Sequence, residues 1–117
     1  MDIETIRSFC TSFSNVSEEF PFDSSTLVFK VAGKIFALVD VDSFLFINLK
    51  CHPEKAIELR ERFAGIQPGF HMNKKHWNSV YIRSDVSEKQ LLELITHSYE
   101  LVFESFSKKR RDELTMG

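Results

Sequence analysis

The sequence predicts an α+β domain: a two-layer sandwich in the order α-β3-α-β2-α, its sheet mostly antiparallel and its helices on one face. Three observations carry this expectation. Apolar residues recur at spacings of three and four in three separate segments. Two β-rich runs flank Ala32-Gly33 as a hairpin would. The strand-like and helix-like segments then alternate in blocks of one helix, three strands, one helix, two strands and one helix. The 117 residues read as one domain, 1–117, which is long enough to bury a core without disulfide or metal staples.

Asp2 caps the first expected helix, whose face is Ile6, Phe9, Cys10 and Phe13. Ser14, Asn15 and Ser17 end it, and Pro21 holds the chain extended or turning at Phe20. Leu27–Val31 and Lys34–Val39 form the hairpin, with Gly33 supplying positive φ. Asp40 to Ser43 turn the chain into a third strand, "SFLFINLK". Leu45, Ile47 and Leu49 share one face of it, and Phe46, Asn48 and Lys50 share the other. Phe29 and Val31 likewise oppose Val28 and Lys30. Pro53 opens a second helix, with Ala56, Leu59 and Phe63 as its apolar stripe and Gly65 as its stop. Glu58 and Arg62 are spaced as an exposed ion pair. Two short strands are expected near Phe70–Met72 and Trp77–Arg83, joined by a turn at Asn73 to Lys75, with Phe70, Met72, Val80 and Ile82 anchoring them in the core. Ser87 and Gln90 form a capping box for a long third helix. It buries Leu91, Leu94, Ile95, Val102 and Phe106, places Tyr99 at the stripe's border and ends in Lys108 to Arg111.

Composition narrows the function classes. With 43% hydrophobic and 27% charged residues, the chain is of the ordinary globular kind, and twelve phenylalanines promise an aromatic core. Cys10 and Cys51 stand far apart in no metal-like spacing, as reduced thiols of a cytoplasmic protein would. There is no basic-then-apolar signal pattern, no apolar run of membrane-spanning length, and "RDEL" is followed by three more residues. A net charge of −2 argues against a generally basic nucleic-acid binder. The charge is uneven, however: −4 over residues 1–26, +3 over 27–82 and −1 over 83–117.

The positive middle contains "GFHMNKKHWNSVYI", Gly69 to Ile82. Together with "FPF", "LVFKVAGKIFAL", "INLKCHPEKAIELRERF" and "LITHSYELV", it resembles the MmcQ/YjbR family over nearly the whole chain. The resemblance implies a frataxin (CyaY)-like sandwich, and the family is commonly described as DNA-binding. Lys30, Asn48, Lys50, His71, Asn73, Lys74, Lys75, His76 and Trp77 match the family pattern, and none of them carries an established catalytic role. Where family members often have a Pro-Gly turn after the first helix and a glycine after "PF", this chain has Ser14-Asn15 and Asp23.

Four chemistries compete for these residues. Nucleic-acid binding would use Lys30, Lys50, Asn73, Lys74, Lys75, His76 and Trp77, with lysines on phosphates, asparagine on phosphate or base edges and an aromatic for stacking. It needs the four lysines on one exposed surface free of carboxylates. The bland alternative makes Trp77 core and the lysines ordinary solvated residues. A metal site at His71 and His76, with His52 or Cys51, lacks a recognised spacing and a carboxylate. Catalysis lacks any complete constellation: Cys51 and His52 point apart on an extended strand, and four glycines leave little material for a phosphate loop. A protein-interaction module would dock a partner or a second copy on the sheet face left open by the helices, where Val28, Phe36, Leu38 and Phe46 are expected. The leading expectation is a non-catalytic domain without cofactor, metal or membrane contact. It would touch the phosphates of double-stranded DNA through the Asn73–His76 tip.

Overall fold

In the computed structural model, which describes residues 1–116, the chain runs from α1 (Ile3–Thr11) to four strands: β1 (Val16–Glu19), β2 (Thr26–Val31), β3 (Lys34–Asp40) and β4 (Phe46–Lys50). Then come α2 (Pro53–Arg62), β5 (Ile66–Pro68), β6 (Trp77–Tyr81), α3 (Glu88–Glu104) and α4 (Lys108–Met116). The class is α+β, but the expected order α-β3-α-β2-α is wrong: the chain is α-β4-α-β2-α-α. The missed strand, β1, is Val-Ser-Glu-Glu. Its composition gives no strand signal, and it owes its form to pairing with β2, Val16 facing Val31 and Glu19 facing Val28. The missed break after α3 lies at Ser105. Its hydroxyl bonds back to the Val102 carbonyl, and the Ser107 hydroxyl accepts from the Arg110 N–H to start α4.

The first strand of the expected pair near Phe70–Met72 is also displaced. The strand is Ile66–Pro68, three residues paired with β6, and Phe70 to Met72 lie in turns. His71 sits at φ +58°, which no strand residue adopts.

All strand pairs are antiparallel, in the order β1-β2-β3-β4-β6-β5. The β2–β3 hairpin turns through Ala32 at φ +48° and Gly33 at φ +89°, so both central residues are left-handed. Asn15, at φ +65°, makes the turn after α1 in the left-handed region that asparagine tolerates.

A bulge decides which face Phe36 takes. Phe29 pairs with Ala37 but Lys30 with Ile35, leaving Phe36 as the extra residue of β3. Simple alternation places Phe36 on the open face. The bulge turns it inward beside Ala37, into a core that also holds Phe29, Ile47 and Leu49. Helices α1, α2 and α3 add Ile6, Cys10, Ala56, Leu59, Ile95 and Val102 to the same cluster. Leu45, expected inward, is 55% exposed because it precedes β4. The Ser98 hydroxyl of α3 donates to the Phe36 carbonyl and accepts the Lys50 N–H, which fastens α3 across β3 and β4.

Candidate binding site on the open sheet face

The register fixes what the open face carries. Thr26 stands opposite Asp40, and Phe46 opposite Tyr81, at one end. The next row is Val28, Leu38, Asn48 and Ser79, each directly opposite the next. Beyond it are Lys30 and Ile35, with Lys50 opposite Trp77.

The segment after β5 folds over this face. Gly69 permits the entry: a Cβ there would stand 2.8 Å from Trp77 Cβ and 2.9 Å from the Trp77 carbonyl oxygen. The Phe70 N–H then donates to Ser79 Oγ at 2.9 Å, and Asn48 Nδ2 donates to the Phe70 carbonyl at 3.1 Å. The Ser79 hydroxyl in turn donates to Asn48 Oδ1. Asn48 and Ser79 are buried, and these bonds satisfy them while setting the height of the loop above the sheet.

What remains between this loop and the Phe22 connection is a groove of about 480 Å³. Ile35, Leu38 and Phe46 floor it, Phe22 forms one wall, and Phe70, His71 and Met72 form the other. The Phe46 and Phe70 rings meet edge-to-face at 5.9 Å, and the Phe70 ring lies 4.0 Å from the His71 ring. Phe22 is 66% and Phe70 57% exposed. Phe70 and Met72 were expected as core anchors. They are the wall of a groove instead, while Val80 and Ile82 are buried as anticipated.

At the Thr26 end the groove meets Asp40. Its Oδ1 accepts the N–H groups of Asp42 and Ser43, closing the turn to β4. Asp23 does the same for Ser25 and Thr26, and those bonds hold its carboxyl below the usual carboxylate range.

The lysines named from sequence are not brought together as a free surface. Lys30 is ion-paired with Glu19 on the open face. The Lys74 ammonium donates to the Gly69 carbonyl at 2.9 Å, inside its own loop. Lys50 is half-buried and Lys75 exposed, and neither has a carboxylate partner among the described residues. Asn73 Oδ1 accepts the Lys75 N–H, the His76 carbonyl accepts the Cys51 N–H at 2.8 Å, and Trp77 is half-buried. His71 lines the groove and His76 does not.

Sequence reasoning missed Arg60. From α2 its Nε donates to Asn78 Oδ1 at 2.6 Å, and its Nη2 donates to the carbonyls of Lys74 and Trp77. Phe22 was visible only as part of "FPF", and Asp40 was read as a turn residue rather than as part of a site.

The histidine and cysteine clusters form no reactive pair. The His52 N–H donates to His97 Nε2 at 3.3 Å, and burial, with Lys55 and His52 nearby, lowers the His97 pKa. Burial raises the Cys51 thiol and pushes Cys10 up to about 12, so both resist ionisation. Among the described residues no three His, Cys, Asp or Glu side chains are grouped to hold a metal ion, and no helix is long and apolar enough to cross a membrane.

Residues 11–101 match the family model YjbR. Among curated proteins, the chain is 37% identical to the uncharacterised Escherichia coli O157:H7 protein YbdF over 115 residues, covering 97% of this chain and 94% of that one. It is 27% identical to the uncharacterised E. coli K12 protein YjbR, covering 95% of each chain. The crystal structure of the Deinococcus radiodurans protein DR2400 superposes with a TM-score of 0.92 at 40% identity, covering 97% of this chain and 88% of that one. A Pseudomonas syringae crystal structure gives 0.72 at 25% identity, covering 86% and 98%.

Proposed function

The chain belongs to the YjbR family, and from that premise we propose that it is a non-catalytic cytoplasmic binding domain which receives an apolar group of its partner on the open sheet face. The observation that carries this reading is the groove. A sheet face bare of helices presents Leu38 and Phe46 between two walls of phenylalanine. Exposed aromatics grouped in this way mark contact surfaces rather than scattered surface residues. Two free, buried cysteines agree with a reducing compartment. The test is titration with the neutral fluorophore N-phenyl-1-naphthylamine. Saturable enhancement, lost in Leu38→Asp with cooperative unfolding retained, supports the reading. No saturable enhancement in the parent protein refutes it.

A second reading keeps the DNA contact that the family description implies, together with the frataxin (CyaY)-like likeness of the sandwich. Lys50 and Lys75 support it, as cations without carboxylate partners among the described residues. Lys30 and Lys74 count against it, being engaged elsewhere. Anisotropy of labelled duplex DNA over a salt series separates the readings. A Lys75→Ala variant with a salt slope reduced by about 0.9 favours phosphate contact. No saturable binding at low salt removes it.

A further inference from the structure

We propose that the occupant of the open-face groove is a small hydrophobic amine, a free molecule whose apolar body lies among Phe22, Phe46 and Phe70 and whose cation faces Asp40. The inference rests on the reading of the open face as the contact surface, and it names the chemistry of the ligand.

Charge complementarity is the first argument. Asp40 is the single carboxylate on the groove lining, and no lysine or arginine lines it. The nearest ammonium of the open face in sequence register, Lys30, is already paired with Glu19. Asp40 Oδ1 is used by the turn, but Oδ2 accepts no hydrogen bond among the described residues. Asp23 and Asp42 stand in the turns at the same end and add negative potential. An anion or phosphate finds no lysine or arginine on the lining, where His71 is the one basic side chain.

The aromatic walls supply the second argument. Three phenylalanine rings around one opening hold an apolar body through its area, and aromatic walls are compatible with a cation beside them. His71 adds a polar group that can orient a ligand, while Thr26 and Asn48 are already bonded to Asp23 and to Ser79 and the Phe70 carbonyl.

Size and surroundings favour a free molecule over a peptide. The groove has the volume of a drug-sized ligand site. Its floor belongs to β3 and β4, both interior strands whose main chains are paired on either side. An extended peptide therefore finds no ladder to join there.

The test uses three probes with the same ring: 1-naphthylmethylamine, 1-naphthylmethanol and 1-naphthylacetate. Each is titrated into the isotope-labelled protein at mildly alkaline pH and followed by amide chemical shifts. The amine is expected to saturate, with shifts centred on Leu38, Phe46 and Phe70, and to bind more tightly than the alcohol and the acid. Asp40→Asn keeps the Oδ1 acceptor of the turn while removing the charge. It is expected to weaken the amine about three- to tenfold and leave the alcohol unchanged. Equal binding of amine and acid, or an unchanged amine affinity in Asp40→Asn, overturns the cation assignment while leaving the groove as a contact surface. Absence of groove shifts with all three probes overturns both. Tighter binding by a Leu-Lys-containing peptide than by the amine moves the occupant from a free molecule to a protein segment and also overturns the proposal.

Discussion

Replacing Arg60 by methionine tests how the polar tip is held. The side chain reaches from α2 to three acceptors: Asn78 Oδ1 at 2.6 Å, the Trp77 carbonyl at 3.3 Å and the Lys74 carbonyl. They do not weigh equally. Asn78 is 2% exposed, so its oxygen finds no water when the guanidinium is gone. A buried acceptor left unpaired costs about 1–3 kcal/mol. The Lys74 carbonyl belongs to an exposed residue and rehydrates, so its loss adds little. Methionine keeps much of the apolar stem. The expected destabilisation is therefore about 2 kcal/mol, read in urea unfolding from the single tryptophan, Trp77. A double-mutant cycle with Asn78→Leu locates the loss, because the pair should show a coupling of about 1 kcal/mol or more. A loss below about 0.5 kcal/mol, the range of ordinary surface substitutions, refutes the clasp.

Other outcomes follow from the same geometry. Gly69→Ala forces a methyl group to within 2.8 Å of Trp77 Cβ and should cost about 1–3 kcal/mol in thermal unfolding, with Gly33→Ala less costly in contacts because nothing lies within 4 Å of its added Cβ. Ser98→Ala strands the Lys50 N–H and the Phe36 carbonyl and should cost about 2–4 kcal/mol by urea titration. Asp85 accepts the N–H groups of Gly65 and Ala64, which lowers its pKa beneath 3.8. Its stabilising contribution is thus complete above the ordinary carboxylate value and is lost as pH falls through the lowered one; Asp85→Asn should flatten that acid limb, and a carbon-detected titration midpoint at or above 3.8 contradicts it. Cys10 and Cys51 should react with a disulfide reagent at neutral pH only as fast as the protein opens, and prompt labelling of either in the native protein contradicts their burial.

The sequence made α1, the β2–β3 hairpin, α2 and the Ser87/Gln90 start of α3 legible because each has a strong local signal. It hid β1 because Val-Ser-Glu-Glu becomes a strand only through its neighbour. It misplaced Phe36 because alternation assumes an unbroken ladder, and a bulge has no required residue here. It misread Phe70 and Met72 because apolar residues spaced two apart look like a strand whether they line a core or a groove. The lysines were found, but their partners were not: Glu19 and the Gly69 carbonyl are set by strand register and loop closure, neither of which sequence spacing reveals. Arg60 was hidden for the same reason, since its acceptors lie 14 to 18 residues away.

The two outermost strands have a bearing on how this protein behaves when crowded. At one margin of the sheet β1 carries Glu18 and Glu19; at the other β5 is three residues long and ends in Pro68. A four-residue strand whose glutamates are ion-paired with Arg7 and Lys30 on one side, and a three-residue strand with a missing donor on the other, make each margin a poor template for a further strand. Growth of the sheet into ribbons or fibrils is thus disfavoured in both directions. The domain can keep an aromatic-rich face open to solvent because that face is not flanked by adhesive backbone.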